Sequence, residues 1–237
     1  GLYSGATWNL FAFSEISLSL SGYTADKNYD IWVYDNSGTV TLDSTVWTND
    51  TTRATALTTQ DGVYVKSGAT TRRYVGTIRI TGTTGQCEDS VTKRFVWNYY
   101  NQESRALLKS PSTANWTYQT NTFRQSNSDT ANQVDVVVGL ASLVQLAFTS
   151  IAEAHDQTTS QSGIGLDSTT VSSSSVYNEA YAYDGSIATE RVMPSVYNGY
   201  VSAGRHYFAM LERANPYTGT CTWYGSSSSS RKSALYG

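Results

Sequence analysis

Five carboxylates, Asp135, Glu153, Asp156, Asp167 and Glu179, are the residues of this chain whose type suits acid–base work on a glycosidic bond. A polysaccharide depolymerase needs two such groups facing each other across the scissile bond, at a separation set by the mechanism. Which of them face each other depends on the fold, and carboxylates in loops are more often turn formers or solvated. The two histidines, His155 and His206, are the bases that a Ser-His-Asp hydrolase would require. Serine is abundant, but no Gly-x-Ser-x-Gly elbow occurs. His206 lies in the apolar run His206–Leu211, which favours a packed core or interface histidine. His155, in Glu153-Ala-His-Asp156, reads as a loop residue. No Cys-x-x-Cys or similar ligand spacing exists, so no metal site is expected. Phosphate-cradling glycine loops are also absent, and no cofactor is expected. Cys87 and Cys221 set no disulfide framework, and two buried or incidental thiols are favoured over a bridge.

Aromatics are the other chemically capable group. Tyr177, Tyr181, Tyr183, Tyr197, Tyr200 and Tyr224 concentrate in the C-terminal third. Such rings stack on sugar faces, and they also build contacts between protomers. The oligomer interface is the favoured reading, and contact with a host-surface glycan is the alternative.

The elements that would position these residues are strands. The 237 residues include 18 Tyr and 6 Trp but only 3 Pro, and charged residues make up 15%. Thr, Tyr, Val and Trp pack well on a pleated face, and turns must then rest on Gly, Asn, Asp and Ser. Ile16–Leu20 alternates as a strand does. Tyr29–Tyr34 and Val40–Leu42 read as a hairpin around Asp35-Asn-Ser-Gly38. Thr51–Thr58 reads as a strand or a short helical turn, followed by a strong turn at Asp61-Gly62. Val63–Val65 pairs with Arg73–Ile80 across Lys66–Thr71. Val91–Tyr100 is expected as one strand, extended by Arg105–Lys109. Asn115–Tyr118 is expected to pair with Thr122–Gln125. Asn132–Phe148 reads as one central strand or two broken near Gly139, with a helix over Leu140–Ala147 less favoured. Gly163–Asp167, Val196–Tyr200 and His206–Leu211 complete the strands. Ser226–Ser230 reads as a flexible loop and Ala234–Gly237 as a tail. Turns every eight to twelve residues point to an all-β fold, a jelly-roll-like or related antiparallel β-sandwich. Residues 1–237 are expected as a single domain with a weak sub-boundary near Ser110-Pro-Ser112.

A net charge of −3 gives no footprint for nucleic acid. The cluster Lys66, Arg72, Arg73 and Arg79 reads as strand-face charge rather than a polyanion site. No run is long and apolar enough to span a bilayer as a helix, so membrane insertion is not expected.

Several blocks resemble a module of tailed-bacteriophage virion proteins, found on fibres, spikes or capsid decorations. They are Trp47-Thr-Asn-Asp-Thr-Thr-Arg-Ala-Thr-Ala56, the run from Gln60 to Tyr74, Glu88-Asp-Ser90 with Lys93-Arg-Phe-Val-Trp-Asn98, and Ala131–Gly139. Gly163–Thr170 and Thr222-Trp-Tyr-Gly225 extend the likeness. The chain departs from the module by a long segment from Ser172 to Gly204, and it lacks the segment usually joined upstream. The resemblance implies a structural virion protein exposed on the particle, a capsid decoration or fibre domain. Its partners would be other virion proteins and further copies of itself, with a trimer expected. A tail-tip adhesin binding a receptor or glycan is the alternative, and a depolymerase is the third reading. The resemblance brings no catalytic residues with it, so the chain is not expected to be an enzyme.

Overall fold

A computed structural model describes residues 1–155, 158–177, 179–181, 189–215, 219–228 and 230–237, without the side chains of Tyr177 and Thr189. Nearly all of its regular structure is β. A small hairpin of β1 (Leu2–Tyr3) and β2 (Trp8–Asn9) opens the chain. Sheet I follows, built from β3 (Asn28–Asn36), β4 (Thr39–Val46), β5 (Leu57–Gln60), β6 (Val63–Lys66) and β7 (Ala69–Arg79). The chain then passes through β8 (Lys93–Arg94) and β9 (Val96–Asn98). Three short strands come next: β10 (Leu108–Lys109), β11 (Asn115–Thr117) and β12 (Arg124–Gln125). The long core strands are β13 (Gln133–Val138), β14 (Ser142–Ala154), β15 (Thr159–Leu166), β18 (Thr189–Val201) and β19 (Gly204–Asn215). Between β15 and β18 lie the short β16 (Val176–Tyr177) and β17 (Glu179–Tyr181), and β20 (Cys221–Tyr224) and β21 (Ala234–Tyr236) end the chain.

Sheet I has the order β4-β3-β7-β6-β5, with β9 also on β7. Its hairpins have a local cause. Ser37-Gly38 and Asp61-Gly62 all adopt positive φ, 53° and 91°, then 51° and 81°. That is the backbone of a two-residue hairpin turn whose twist matches its strands. Asp35 locks the first turn by accepting from the Gly38 N–H at 2.6 Å. The third hairpin is tighter than the expected Lys66–Thr71 loop, because Lys66 pairs directly with Ala69 around Ser67-Gly68.

Sheets II and III form an antiparallel β-sandwich. Sheet II runs β17-β15-β19-β13-β8, with β12 also on β19. Sheet III runs β10-β21-β14-β18-β16, with β20 on β14 and β11 on β20. Val134, Val136, Ile164, Phe208 and Met210 of sheet II face Val144, Leu146, Phe148, Tyr197 and Leu235 of sheet III across one core. A satellite cluster around Met193, Ala214, Cys221 and Trp223 extends it. The segment Ser172–Gly204 supplies β18, whose thirteen-residue ladder with β14 runs through the centre of sheet III.

Local alternation misled the strand reading at several places, because it does not name a partner strand. Ile16–Leu20 forms no strand. Leu18 and Leu20 instead cover Tyr29, Ile31 and Ile80 on the outer side of sheet I. Val91–Tyr100 is two strands rather than one: β8 joins sheet II in parallel with β13, and β9 joins sheet I. Arg105–Lys109 does not extend them, since β10 pairs with β21. Asn115–Tyr118 and Thr122–Gln125 do not pair with each other either, because β11 binds β20 while β12 binds β19. The Asn132–Phe148 run is two strands in different sheets, and no helix forms at Leu140–Ala147. The tail is a strand with buried Leu235. The serine loop is tied down, with Ser226 bonded to Pro111 O and Ser227 to Ser112 O.

Candidate functional site

The block Trp47–Arg53 forms the joint between sheet I and the sandwich. Asn49 Oδ1 accepts from the N–H groups of Thr51 and Thr52, at 2.9 and 2.8 Å, and so folds the loop on itself. The loop then reaches in both directions. Asp50 O accepts from Arg205 N of β19 at 2.8 Å. The Arg53 guanidinium donates through Nε to Asp30 Oδ2 at 2.8 Å and through Nη2 to Gly139 O, between β13 and β14. It also packs over the Trp47 ring, 4.4 Å from the centroid. Asp30 takes a second bond from Thr77 Oγ1 at 2.7 Å, and Thr77 shares a bond with Tyr74 Oη at 2.6 Å. Asp30, Thr77 and Tyr74 are all buried. Desolvation pushes the Asp30 carboxyl up against the pull of Arg53. Trp32, Tyr74, Trp97 and Tyr99 extend this joint as a belt of neighbouring rings.

Two glycines exist here for close approach. A Cβ on Gly139 would collide with Tyr74 Oη and the Trp97 ring, and one on Gly76 with Trp97 O. Gly76 lies beside the bulge that leaves Val75 unpaired, with Trp32 opposite Tyr74 and Ile31 opposite Gly76. Gly139→Ala is expected to destabilise the fold by about 1–3 kcal/mol, the usual range for overpacking. Urea unfolding with an unchanged m-value would check it, and a neutral result would refute the tight joint.

The histidine pair is structural. His206 Nδ1 lies 2.7 Å from Asp167 Oδ2, and Nε2 lies 2.9 Å from Ser202 O. Both partners are acceptors, so the pocket favours the charged ring, in which both nitrogens donate. Burial opposes that charge, but Asp167 and the Ser202 carbonyl raise the His206 pKa. Asp167 itself pays some desolvation, yet His206 and the Tyr207 N–H hold its carboxyl low. Neither ring nitrogen is free to act as a base in this arrangement.

Glu212 is fully buried on β19. It accepts from Trp116 Nε1 at 2.9 and 2.8 Å, from Arg124 Nε at 2.9 Å and from Asn127 N at 3.1 Å. Desolvation outweighs these donors and raises its pKa to about 7. The group ties β11 and β12 to β19. Burial also pushes the nearby Cys221 thiol up to about 12, and both Cys87 and Cys221 are free.

The remaining carboxylates are likewise engaged with donors or stand apart. Asp135 is bound by Arg205. Glu153 and Glu190 are register partners on β14 and β18. Arg231 bridges them at 2.9 and 2.5 Å, and Tyr224 donates to Glu153 at 3.2 Å. His155 lies 3.6 Å from Glu153. Glu179 is exposed beside a small polar pocket with Gln161 and Arg213. Asp156 lies outside the described residues. Among the described residues, no group of three or more His, Cys, Asp and Glu is placed to hold a metal.

The tyrosines separate. Tyr197 is buried in the sandwich core, its ring tilted 60° against Phe208 with centroids 5.0 Å apart, and Tyr224 is buried beneath Arg231. Their rings are therefore not on the surface of the single chain. Tyr200 is 74% exposed and Tyr181 46%. Tyr183 and the Tyr177 side chain lie outside the described residues.

Sequence reasoning did not find the outer face of sheet III. Along β14, Leu143, Gln145, Ala147, Thr149 and Ile151 point outward. Along β18 their register partners Tyr200, Asn198, Val196, Pro194 and Val192 do the same. Val176, Leu108 and Tyr236 widen the face on either side. The signal was present as alternate uncharged residues on two long runs, but the partner side of each strand was legible only once the sheets were known. At one end, Leu143 and Tyr200 border a cleft of about 570 Å³, which Trp97, Asn98 and Gln102 also line.

No protein-family model and no curated protein matches this chain. Its class is therefore defined by its own geometry, an antiparallel all-β sandwich with a third sheet clasped to it.

Proposed function

We propose that this chain is a structural, non-enzymatic module exposed on the surface of a virus particle, as a capsid decoration or fibre domain. The observation that carries the reading is how the buried charges are used. Asp30–Arg53, Glu212–Arg124 and Asp167–His206 each tie separate segments together. Charge spent on holding segments in one geometry suits a rigid building block. The blocks that resemble virion modules support the same reading, since Trp47–Arg53, Tyr74, Trp97 and Gly139 meet at the joint.

A tail-tip adhesin is the second reading. It is favoured by the 570 Å³ cleft, where exposed Tyr200 lies near the amides of Asn98 and Gln102. Arg94, Glu103 and Arg105 line the same cleft, so its rings, carboxamides and charged groups suit a sugar, whose C–H face stacks on a ring and whose hydroxyls and charged substituents the polar groups match.

Immunogold labelling of intact particles with antibody against this chain tests the proposal. Label over the capsid or along a fibre is expected. Label confined to the tail tip, with saturable cell binding lost in Tyr200→Ala, would transfer the role to the adhesin. Absence of label, with an antibody shown to bind the chain, would overturn the surface role.

A further inference from the structure

We infer that the cleft of about 570 Å³ receives residues 10–15 of a second copy of this chain, which lie beside β14 as a further strand of sheet III and join the copies head to tail. The cleft opens on an unfinished sheet edge. The ladder of β14 with β18 runs from Ser142 to Ala154, but on its other side β14 meets β21 only at positions 147–149 and β20 only at 152–154. Positions 142–146 therefore have a strand on one side alone. Three observations fix which backbone groups face the open side. Gln145 O points toward Gly237, and the Ile151 N–H donates to Ser233 Oγ. Asn198, the partner of Gln145 on β18, turns its own N–H away to Ser175 Oγ. Alternation then aims the N–H and C=O of Leu143, and the N–H of Gln145, into the cleft.

The same chain carries an extended segment without a sheet. Residues 10–18 enter no strand and make no backbone hydrogen bond among the described residues. Leu10-Phe-Ala-Phe13 is an apolar run, yet Leu10 is 93% exposed and Phe13 62%. Such a run in the open is at odds with a solvent-facing surface unless it has a partner. Its length fits. The edge at 142–146 is about 17 Å long at ~3.4 Å per residue, which residues 10–15 cover when extended. An added strand gains affinity from main-chain hydrogen bonds and specificity from side chains that alternate between pockets. Val136, Val138 and Val144 line the cleft, and both faces of the run are apolar, so either alternation sets apolar side chains against them.

Its own chain holds the segment elsewhere. Trp8 Nε1 donates to Asp61 Oδ2 at 2.9 Å before it, and Leu18 and Leu20 pack on Tyr29, Ile31 and Ile80 after it. Both anchors lie on sheet I, whereas the open edge belongs to sheet III. A segment tied at both ends in this way is offered to a neighbour. Donor and slot are different surfaces, so the contact is heterologous and closes into a ring or runs on as a filament. The trimer implied by the virion resemblance is one such ring. Strand and sugar compete for the same cleft, so this inference and the adhesin reading exclude each other there.

Sedimentation velocity over the micromolar range tests this. The intact chain is expected to grow beyond its 25.9 kDa monomer. The double variant Leu10→Asp with Phe13→Asp removes the donor at exposed sites. Leu143→Pro removes an N–H from an open edge, where proline is tolerated. Each should stay monomeric with the circular dichroism of the intact chain. Mixed in equal amounts, the two should form a heterodimer and nothing larger, because one keeps the slot and the other keeps the segment. A synthetic peptide of residues 9–16 should dissolve the assembly of the intact chain, a result that depends on neither variant folding. A monomeric intact chain, assembly that survives either variant, folded variants that do not pair on mixing, or a peptide without effect would overturn the inference.

Discussion

Arg53→Ala is expected to lower the stability of the chain by about 3–5 kcal/mol, the range for removing one partner of a buried ion pair. The cause is the carboxylate left behind. Asp30 is 1% exposed, and without Arg53 only Thr77 Oγ1 remains bonded to it among the strong donors at the joint. The same change frees Gly139 O and uncovers the Trp47 ring. Asp30→Asn alone should cost less, because a neutral amide pays a smaller desolvation penalty. Combining Asp30→Asn with Arg53→Met should therefore recover part of the loss from Arg53→Ala. Urea unfolding of Asp30→Asn, Arg53→Met and the double variant, beside Arg53→Ala, measures this as a coupling between the two positions. Additive effects would mean that the joint is not held by this pair. A biphasic curve in Arg53→Ala would locate the damage at the contact between sheet I and the sandwich, since two units would then unfold separately.

Stability is expected to peak in mildly acidic solution and to fall as the pH rises toward 8. Glu212 has a folded pKa of about 7, above the ordinary 4.5. The folded state therefore holds a proton that the unfolded state has released, and stability falls from about pH 4.5 through 7. The loss is about 3 kcal/mol for a shift of this size. Asp30 is raised as well, so its contribution falls in the same direction, starting from its ordinary 3.8. His206 is raised above 6.5 by Asp167 and the Ser202 carbonyl, so its contribution is complete below 6.5 and lost as the pH climbs through its folded value. Asp167 and Glu88 act at the other limit. Their carboxyls are held low, so their contributions are present at ordinary pH and lost on strong acidification. Differential scanning calorimetry should show a melting temperature roughly 5–10 °C higher near pH 5 than near pH 8. Glu212→Gln keeps the shape and removes the titration, so it should flatten the slope between those values. A profile that rises toward pH 8, or one that Glu212→Gln leaves unchanged, would refute the account.

The strands that carry the fold were legible where the local signal was complete. Asn-Ser-Gly and Asp-Gly turns between alternating runs fix hairpins within a few residues, and the sheet I hairpins follow them. The break at Gly139 was one of two readings open in the sequence, and the close packing of Tyr74 and Trp97 on that glycine decides it. The all-β class followed from composition and spacing, and the structure has that class. Ile16–Leu20 shows the limit of such signals, because alternation describes which side chains are apolar and not whether an edge is free to accept the strand.

What the sequence could not determine is partnership across long separations. Lys93-Arg94 and Val96–Asn98 enter different sheets with only the buried Phe95 between them, and packing alone decides the split. The tyrosine cluster reads as one surface in the chain, yet alternation along β18 sends Tyr197 inward and Tyr200 outward. Glu212 has nothing in its neighbourhood, Leu211-Glu-Arg213, to mark it as a buried acid. Its donors come from residues 85 to 96 positions away, and only the sheet brings them together. By itself, the sequence determined the class of element, most tight turns and the uncharged alternation of β14 and β18. Tertiary structure alone decided which face of each strand meets solvent, since that side is set by what packs on the other.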